Sequence, residues 1–188
     1  MTISIILLTT LTLAAAPQAS APQDPAPLIA AQSAAMAPLA WMDGRWRGEA
    51  VTKFPGGEHR VTQTERIGPL LGGSVKLLEG RAFRADGSTG FNAFGVISFD
   101  PATKAYTLHS YAQGRAGDFA IRPTANGYVW DIPAGPMTIR YTASLANGVW
   151  TEIGERLAPA KPPEQFFIMR LKRVGASDWP GANPMTPR

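Results

Sequence analysis

Beyond residue 44 the apolar and polar positions repeat with a period of two, in short runs separated by turn residues. Tyr128, Trp130 and Ile132 share one parity against Val129 and Asp131, and Met137, Ile139 and Tyr141 share one against Thr138, Arg140 and Thr142. Such alternation is the mark of a strand with one face buried. The interruptions have the chemistry of tight turns: Pro55-Gly56-Gly57, Gly72-Gly73, Ala85-Asp86-Gly87, Asp100 to Thr103, Gly114 to Gly117, Ala125-Asn126-Gly127, Ala134-Gly135-Pro136 and Ala146-Asn147-Gly148. Glycine and asparagine supply positive φ there and proline presets a corner, with Asn-Gly the strongest hairpin signal.

Ten strands follow from this punctuation, over 46–54, 59–67, 74–83, 91–99, 105–111, 119–122, 128–132, 137–145, 149–157 and 165–174. No stretch after Trp46 carries a helical period long enough to serve as a crossover, so consecutive strands must run antiparallel. The predicted fold is all-β, a ten-stranded up-and-down antiparallel barrel preceded by a short helix. Closure would remove the sheet edges that invite aggregation. An open sandwich is the alternative arrangement of the same strands.

The first 40 residues follow different rules. Ile3 to Ala16 is apolar and ends in small residues, the pattern of a secretory signal over residues 1–16, although no Lys or Arg precedes it. Export to the periplasm or medium is expected, with cleavage near Ala14 or Ala15 and an uncleaved anchor as the alternative. Residues 17–40 are rich in Ala, Pro and Gln and read as a linker, within which Leu28 to Met36 has helix-forming composition and is placed to plug one end of a barrel. The barrel is expected over residues 41–175. Residues 176–188 read as a tail, with Trp179 suited to pinning it on the outer wall.

Charge and composition narrow the chemistry. All 18 basic residues lie at or beyond Arg45, against 12 acidic ones in the same span, which leaves that span at +6. The basic residues are scattered singly along strands, which describes a solvated surface with weak attraction to anionic envelope material. Zero cysteines exclude disulfides, thiolate catalysis and Cys-ligated zinc. Stability must therefore come from the apolar core, for which a chain with 45% hydrophobic residues has ample material. The nucleophile-elbow, zinc-protease, phosphate-loop and dinucleotide motifs are absent from the sequence.

Gly44-Arg45-Trp46 at the start of the first strand and Phe167 to Arg173 on the last resemble the closing pair of the lipocalin-like, calycin superfamily. The resemblance spans roughly residues 40–174 and is nearest in character to bacterial exported lipocalin-like proteins, with segments such as Gly95 to Pro101 and Trp150 to Glu155. It implies structural roles for Gly44, Trp46 and a basic side chain of the last strand, Arg170 or Lys172, laid across the indole as a cation–π contact. The ten-stranded count is also distantly similar to nitrobindin-type haem barrels, whose iron is held by a histidine late in the chain. Here the histidines are His59 and His109 alone. Tyr141 and Met169 are the remaining candidates for iron, and both residue types serve far more often as core filler on strands, so no cofactor and no metal is expected.

The candidate ligand contacts are His109, Tyr111, Trp130, Arg140, Glu152 and Phe167. His109 shares a face with Thr107 and Tyr111, and would serve as a ligand contact or general base if that face looked inward. A hydrogen-bonded histidine on a wall is the plainer reading, since no second histidine lies near it in sequence. Arg140 is either a surface charge or a bidentate anchor for an anion at the barrel floor. Glu152 and Glu155 differ by an odd number and face opposite ways on a strand, so they do not form an acid–base pair. Arg170-Leu171-Lys172-Arg173 is split across two faces by alternation, and with export expected, nucleic acid is not a partner. The sequence thus favours a barrel that holds a small apolar or amphipathic molecule. An isomerase or cyclase acting on a lipid-like substrate through His109 or Glu152, and an envelope-associated structural role, are the alternatives; no residue pattern specifies an oligomeric state.

Overall fold

The structure, a computed structural model, describes residues 24–179. The expected signal segment, the first part of the linker and the last nine residues of the tail lie outside them. Ten strands form one closed antiparallel cylinder: β1 (Gly44–Phe54), β2 (Gly57–Leu70), β3 (Val75–Phe83), β4 (Thr89–Asp100), β5 (Ala105–Ala112), β6 (Arg115–Thr124), β7 (Gly127–Ala134), β8 (Met137–Ala146), β9 (Val149–Leu157) and β10 (Glu164–Gly175). Each strand pairs with its neighbours in sequence, and β10 closes on β1. Of the two arrangements the strands allowed, the barrel is the one adopted.

Turn chemistry sets the register. Asn147 and Gly148 both have positive φ, 51° and 73°, the pair of conformations a two-residue hairpin requires, and they place Ala146 opposite Val149. Between β5 and β6 the expected four-residue turn, Gly114 to Gly117, is replaced by the shorter Gln113-Gly114, with φ of 51° and 75°. Arg115, Ala116 and Gly117 continue as strand, paired with Ala112, Tyr111 and Ser110. The glycine-rich run thus marks a thin wall, and the ring of Phe119 occupies the space that a side chain at Gly117 would take.

The N-terminal helix α1 (Ala26–Met36) is followed by a 3₁₀ segment, Ala37–Met42. Proline 38 lacks the N–H that another α-helical turn would need at that position. Met36, Leu39 and Met42 are buried in the main core cluster together with Trp46, Ile67, Ile97 and Leu171, so this segment seals one end of the cylinder. The β2–β3, β4–β5, β6–β7 and β8–β9 connections surround the seal. The five hairpin turns of the opposite end surround the mouth.

The seal is aromatic. Trp46, 2% exposed, donates its indole N–H to the Met42 carbonyl at 2.8 Å. Trp150 packs edge-on against it at 5.6 Å between ring centroids, and Trp41 packs edge-on against both. Such perpendicular pairs are favoured by the ring quadrupoles and each contributes about 1 kcal/mol beyond area burial.

The cation over Trp46 is Arg173, 4.4 Å from the ring, in place of the expected Arg170 or Lys172. Arg173 stands opposite Trp46 in the regular β1–β10 ladder and shares the inward parity of Met169 and Leu171, while Arg170 falls opposite Glu49 and Thr151 on the exposed outer face. Arg173 also donates to the carbonyls of Asp43 and, at 2.7 Å, Trp41. One side chain thereby ties the last strand to the helical seal.

Candidate functional site

Inside the cylinder, between the aromatic seal and the mouth, lies a cavity of about 820 Å³. That is within the size range of small-molecule sites. Trp130, Glu152 and Phe167, three of the residues singled out in the sequence, line it. His109, Tyr111 and Arg140 do not. Strand parity decides the matter: Leu108 and Tyr106 point inward on β5, so His109 points out, where Asp118 Oδ1 meets Nδ1 at 2.8 Å and Ser98 Oγ meets Nε2 at 3.0 Å. Tyr111, 54% exposed, lies in an open outer depression with Phe94 and Trp179. Arg140 pairs on the outer wall with Asp131 through two contacts of 2.8 and 3.1 Å, and each holds the other in its charged form. The roles of His109 as an internal base and Arg140 as a floor anchor are corrected accordingly.

The wall nearer the mouth is a strip of rings. Trp130 stacks on Tyr141 at 4.7 Å, Phe119 meets Trp130 at 5.6 Å, and Phe166 and Phe167 both meet Tyr141 edge-on. A register shift in β10 between Gln165 and Phe167 lets two consecutive phenylalanines reach the lumen, which strict alternation forbids. Gly154 opposite leaves the room they occupy, since a Cβ there would stand 2.9 Å from both Phe167 and Tyr141.

At the floor the lining turns polar. Glu152 on β9 is 9% exposed and accepts a short hydrogen bond from the Tyr128 hydroxyl on β7. The strand between them contributes only Ala143, which is opposite both, so the tyrosine reaches across a methyl group to the carboxylate. Burial pushes Glu152 up to about 7, partly opposed by the tyrosine's hydrogen bond. Burial and the neighbouring Glu152 hold Tyr128 well above the usual phenol range.

Glu65 on β2 is the second floor carboxyl. Gln63, two residues away on the same face, donates to Oε1 at 2.7 Å. Opposite it stands Gly80, where any Cβ would come within 2.9 Å of the carboxyl, so the glycine provides the recess in which Glu65 lies. Part of the Glu65 surface faces the enclosed lumen rather than bulk water, which reconciles its partial exposure with a carboxyl pushed up to about 8. Burial is the main cause, Gln63 opposes it, and the charges of Glu152 and Glu79 add to it.

Sequence reasoning missed Glu65, although a signal was present. Val61, Gln63, Glu65 and Ile67 share one parity, and the apolar ends of that series mark the face as inward.

Ionisable groups at the mouth have the opposite sign. His59, Arg84 and Arg115 line the lumen there, so the cavity is basic at its entrance and carboxylic at its floor. Both candidate iron ligands, Met169 and Tyr141, line the lumen. Met169 belongs to the packed core. Tyr141 is stacked and its hydroxyl is pushed up to about 12, chiefly by burial, which disfavours the phenolate that iron would require. Among the described residues no three His, Cys, Asp or Glu side chains gather into a metal-binding group.

Comparison with known proteins adds a fold and nothing finer. No family model matches the chain, and a search of curated proteins finds no match. Among solved structures, the crystal structure of Rv2717c from M. tuberculosis superimposes with a TM-score of 0.55 at 12% identity, over 74% of this chain and 96% of that one. The topology and this likeness define the fold: a closed, up-and-down, ten-stranded antiparallel β-barrel.

Proposed function

We propose that this is an exported barrel that binds one small amphipathic molecule in its lumen. The observation carrying this reading is the 820 Å³ cavity sealed at one end by Trp41, Trp46 and Trp150, walled by aromatic rings and ended by a polar floor. Apolar contact with Trp130, Tyr141, Phe166 and Phe167 supplies affinity, and the floor groups fix orientation.

Native mass spectrometry of protein recovered from the envelope of its own host tests the proposal. A stoichiometric copurifying small molecule, lost on mutation of Trp130 to Arg, is the supporting result. An empty protein that gains no thermal stability from any apolar probe would overturn it.

One observation favours a second reading. Two carboxyls near 7 and 8 inside an apolar chamber are poised for proton transfer at neutral pH, as an isomerase would require. In that reading Glu65 and Glu152 carry the proton, and His109 and Arg140 take no part. Turnover of a lumen-bound substrate, abolished in both Glu→Gln variants while binding persists, would select it.

A further inference from the structure

Two buried indole donors, Trp41 Nε1 and Trp150 Nε1, have no hydrogen-bond partner, and of these two residues Trp150 is the one that faces the lumen. The residue is 2% exposed and lines the lumen. Its N–H lies close enough to the Tyr128 hydroxyl to lower that group's pKa, yet forms no hydrogen bond to it. A buried N–H without a partner costs about 1–3 kcal/mol, so such donors persist where something else completes them.

The neighbouring groups define what that partner is. The Tyr128 proton is committed to Glu152, so the tyrosine offers nothing further as a donor. Gln63 spends its amide on Glu65 Oε1 and, at 3.5 Å, the Thr64 carbonyl. Glu65 Oε2 has no hydrogen bond, and in the protonated acid it becomes a second donor facing the lumen. The floor thus presents two unspent donors. It also presents two carboxyl groups with no unpaired cation beside them, since Lys76, the buried amine of the closed end, is held by Asp43.

Resting on the lumen-binding reading above, we infer that the ligand ends in a neutral carbonyl or hydroxyl oxygen, which docks at the floor between Trp150 Nε1 and the Glu65 carboxyl. A carboxylate head would sit beside two carboxyls without a counter-ion. An ammonium head would leave the indole N–H unpaired and require a buried acid to ionise as its counter-ion. A neutral oxygen meets both donors and needs no charge in the chamber. The apolar remainder then lies along the strip of Trp130, Tyr141 and Phe167, with its far end at the basic mouth.

The sign of the pH dependence distinguishes these heads. The donor form of Glu65 predominates below about 8. The other ionisable groups facing the lumen are Tyr128, Tyr141 and Glu152 from β7, β8 and β9, with His59, Arg84 and Arg115 at the mouth. Glu79, from the outer face of β3, adds only to the repulsion that keeps Glu65 protonated. A neutral acceptor therefore binds the protonated floor and is released as pH rises, whereas an amine behaves in the opposite sense.

Four probes of one carbon count test this on the whole protein by calorimetry: 4-phenylbutan-1-ol, butylbenzene, 4-phenylbutyrate and 4-phenylbutylamine. The alcohol should bind tightest at about pH 6, roughly tenfold better than butylbenzene. Its affinity should fall several-fold by pH 9, as the fraction of protonated Glu65 falls. Glu65→Gln keeps an N–H donor at the same place, so it should retain the low-pH affinity and lose most of the fall. Trp150→Phe should weaken the alcohol several-fold at pH 6 while leaving butylbenzene bound as before, and that retained butylbenzene binding shows that the variant's lumen is folded. Butylbenzene binding as well as the alcohol, the amine or the acid binding tighter, or a pH profile unchanged in Glu65→Gln would each overturn the inference while leaving a binding lumen intact. No binding by any of the four would remove both.

Discussion

Tyr128 and Glu152 show how a single hydroxyl governs a buried acid. The tyrosine's hydrogen bond lowers the Glu152 pKa, while desolvation raises it to a net value of about 7. Tyr128→Phe deletes the lowering influence and leaves the burial, so the carboxyl should titrate above 7 in that variant, as followed by carboxyl-carbon NMR; a lower value would contradict the assignment. Trp46 acts through volume instead. Trp46→Ala empties the centre of the seal and strands the Met42 carbonyl that the indole satisfies, which should cost about 3–5 kcal/mol by chemical denaturation. Loss of under about 1 kcal/mol would show that the seal is not tightly packed.

Among the strands, the hairpin turns were the most legible feature of the sequence, because positive φ leaves so few residue types eligible. Val149–Leu157 has the bounds read from its flanking Asn-Gly and apolar pattern, eight of the other strands extend further at one or both ends, and β3 begins one residue later than read. Gly148, with φ of 73°, has open space around its Cα, so Gly148→Ala meets no clash and isolates the backbone penalty. A loss of about 1 kcal/mol, with the barrel's circular dichroism unchanged, is expected.

What the sequence did not disclose was which parity faces inward wherever both carry apolar or aromatic groups. On β5 Tyr111 drew attention to the outer series, whereas Leu108 and Tyr106 define the inner one. On β8 the inward set of Ile139 and Tyr141 was legible, and Arg140 followed as its outward counterpart only once the register with Asp131 was known. Arg173 was legible by parity, since it shares a face with Met169 and Leu171, whereas the double entry of Phe166 and Phe167 was hidden by a register shift, because a local insertion in the ladder leaves no periodic trace.

Over the whole molecule, the floor acids make stability depend on pH in an unusual direction. Glu65 and Glu152 have folded-state values of about 8 and 7, above the ordinary 4.5, so the folded chain binds more protons than the unfolded one between those limits. Stability from these groups is fully present below about pH 4.5 and declines as pH rises toward 8, at up to roughly 1.4 kcal/mol per pH unit for each proton. The melting temperature should therefore fall from about pH 5 to pH 9, and the fall should be shallower in the Glu65→Gln, Glu152→Gln double variant. A wild-type protein that grows more stable over that interval would show that the acids are solvated.

The seam between β1 and β10 has a consequence for how the molecule is made. Arg173 and Asp43, which meet there, are 130 positions apart, and every other strand pairing is between neighbours in the chain. Without residues 164–175 the other nine strands would leave two unpaired margins, so the ring is completed by its longest-range pairing, the kind of contact that slows folding most. The same dozen residues that complete the ring also carry Arg173, which fastens the helical segment across its end.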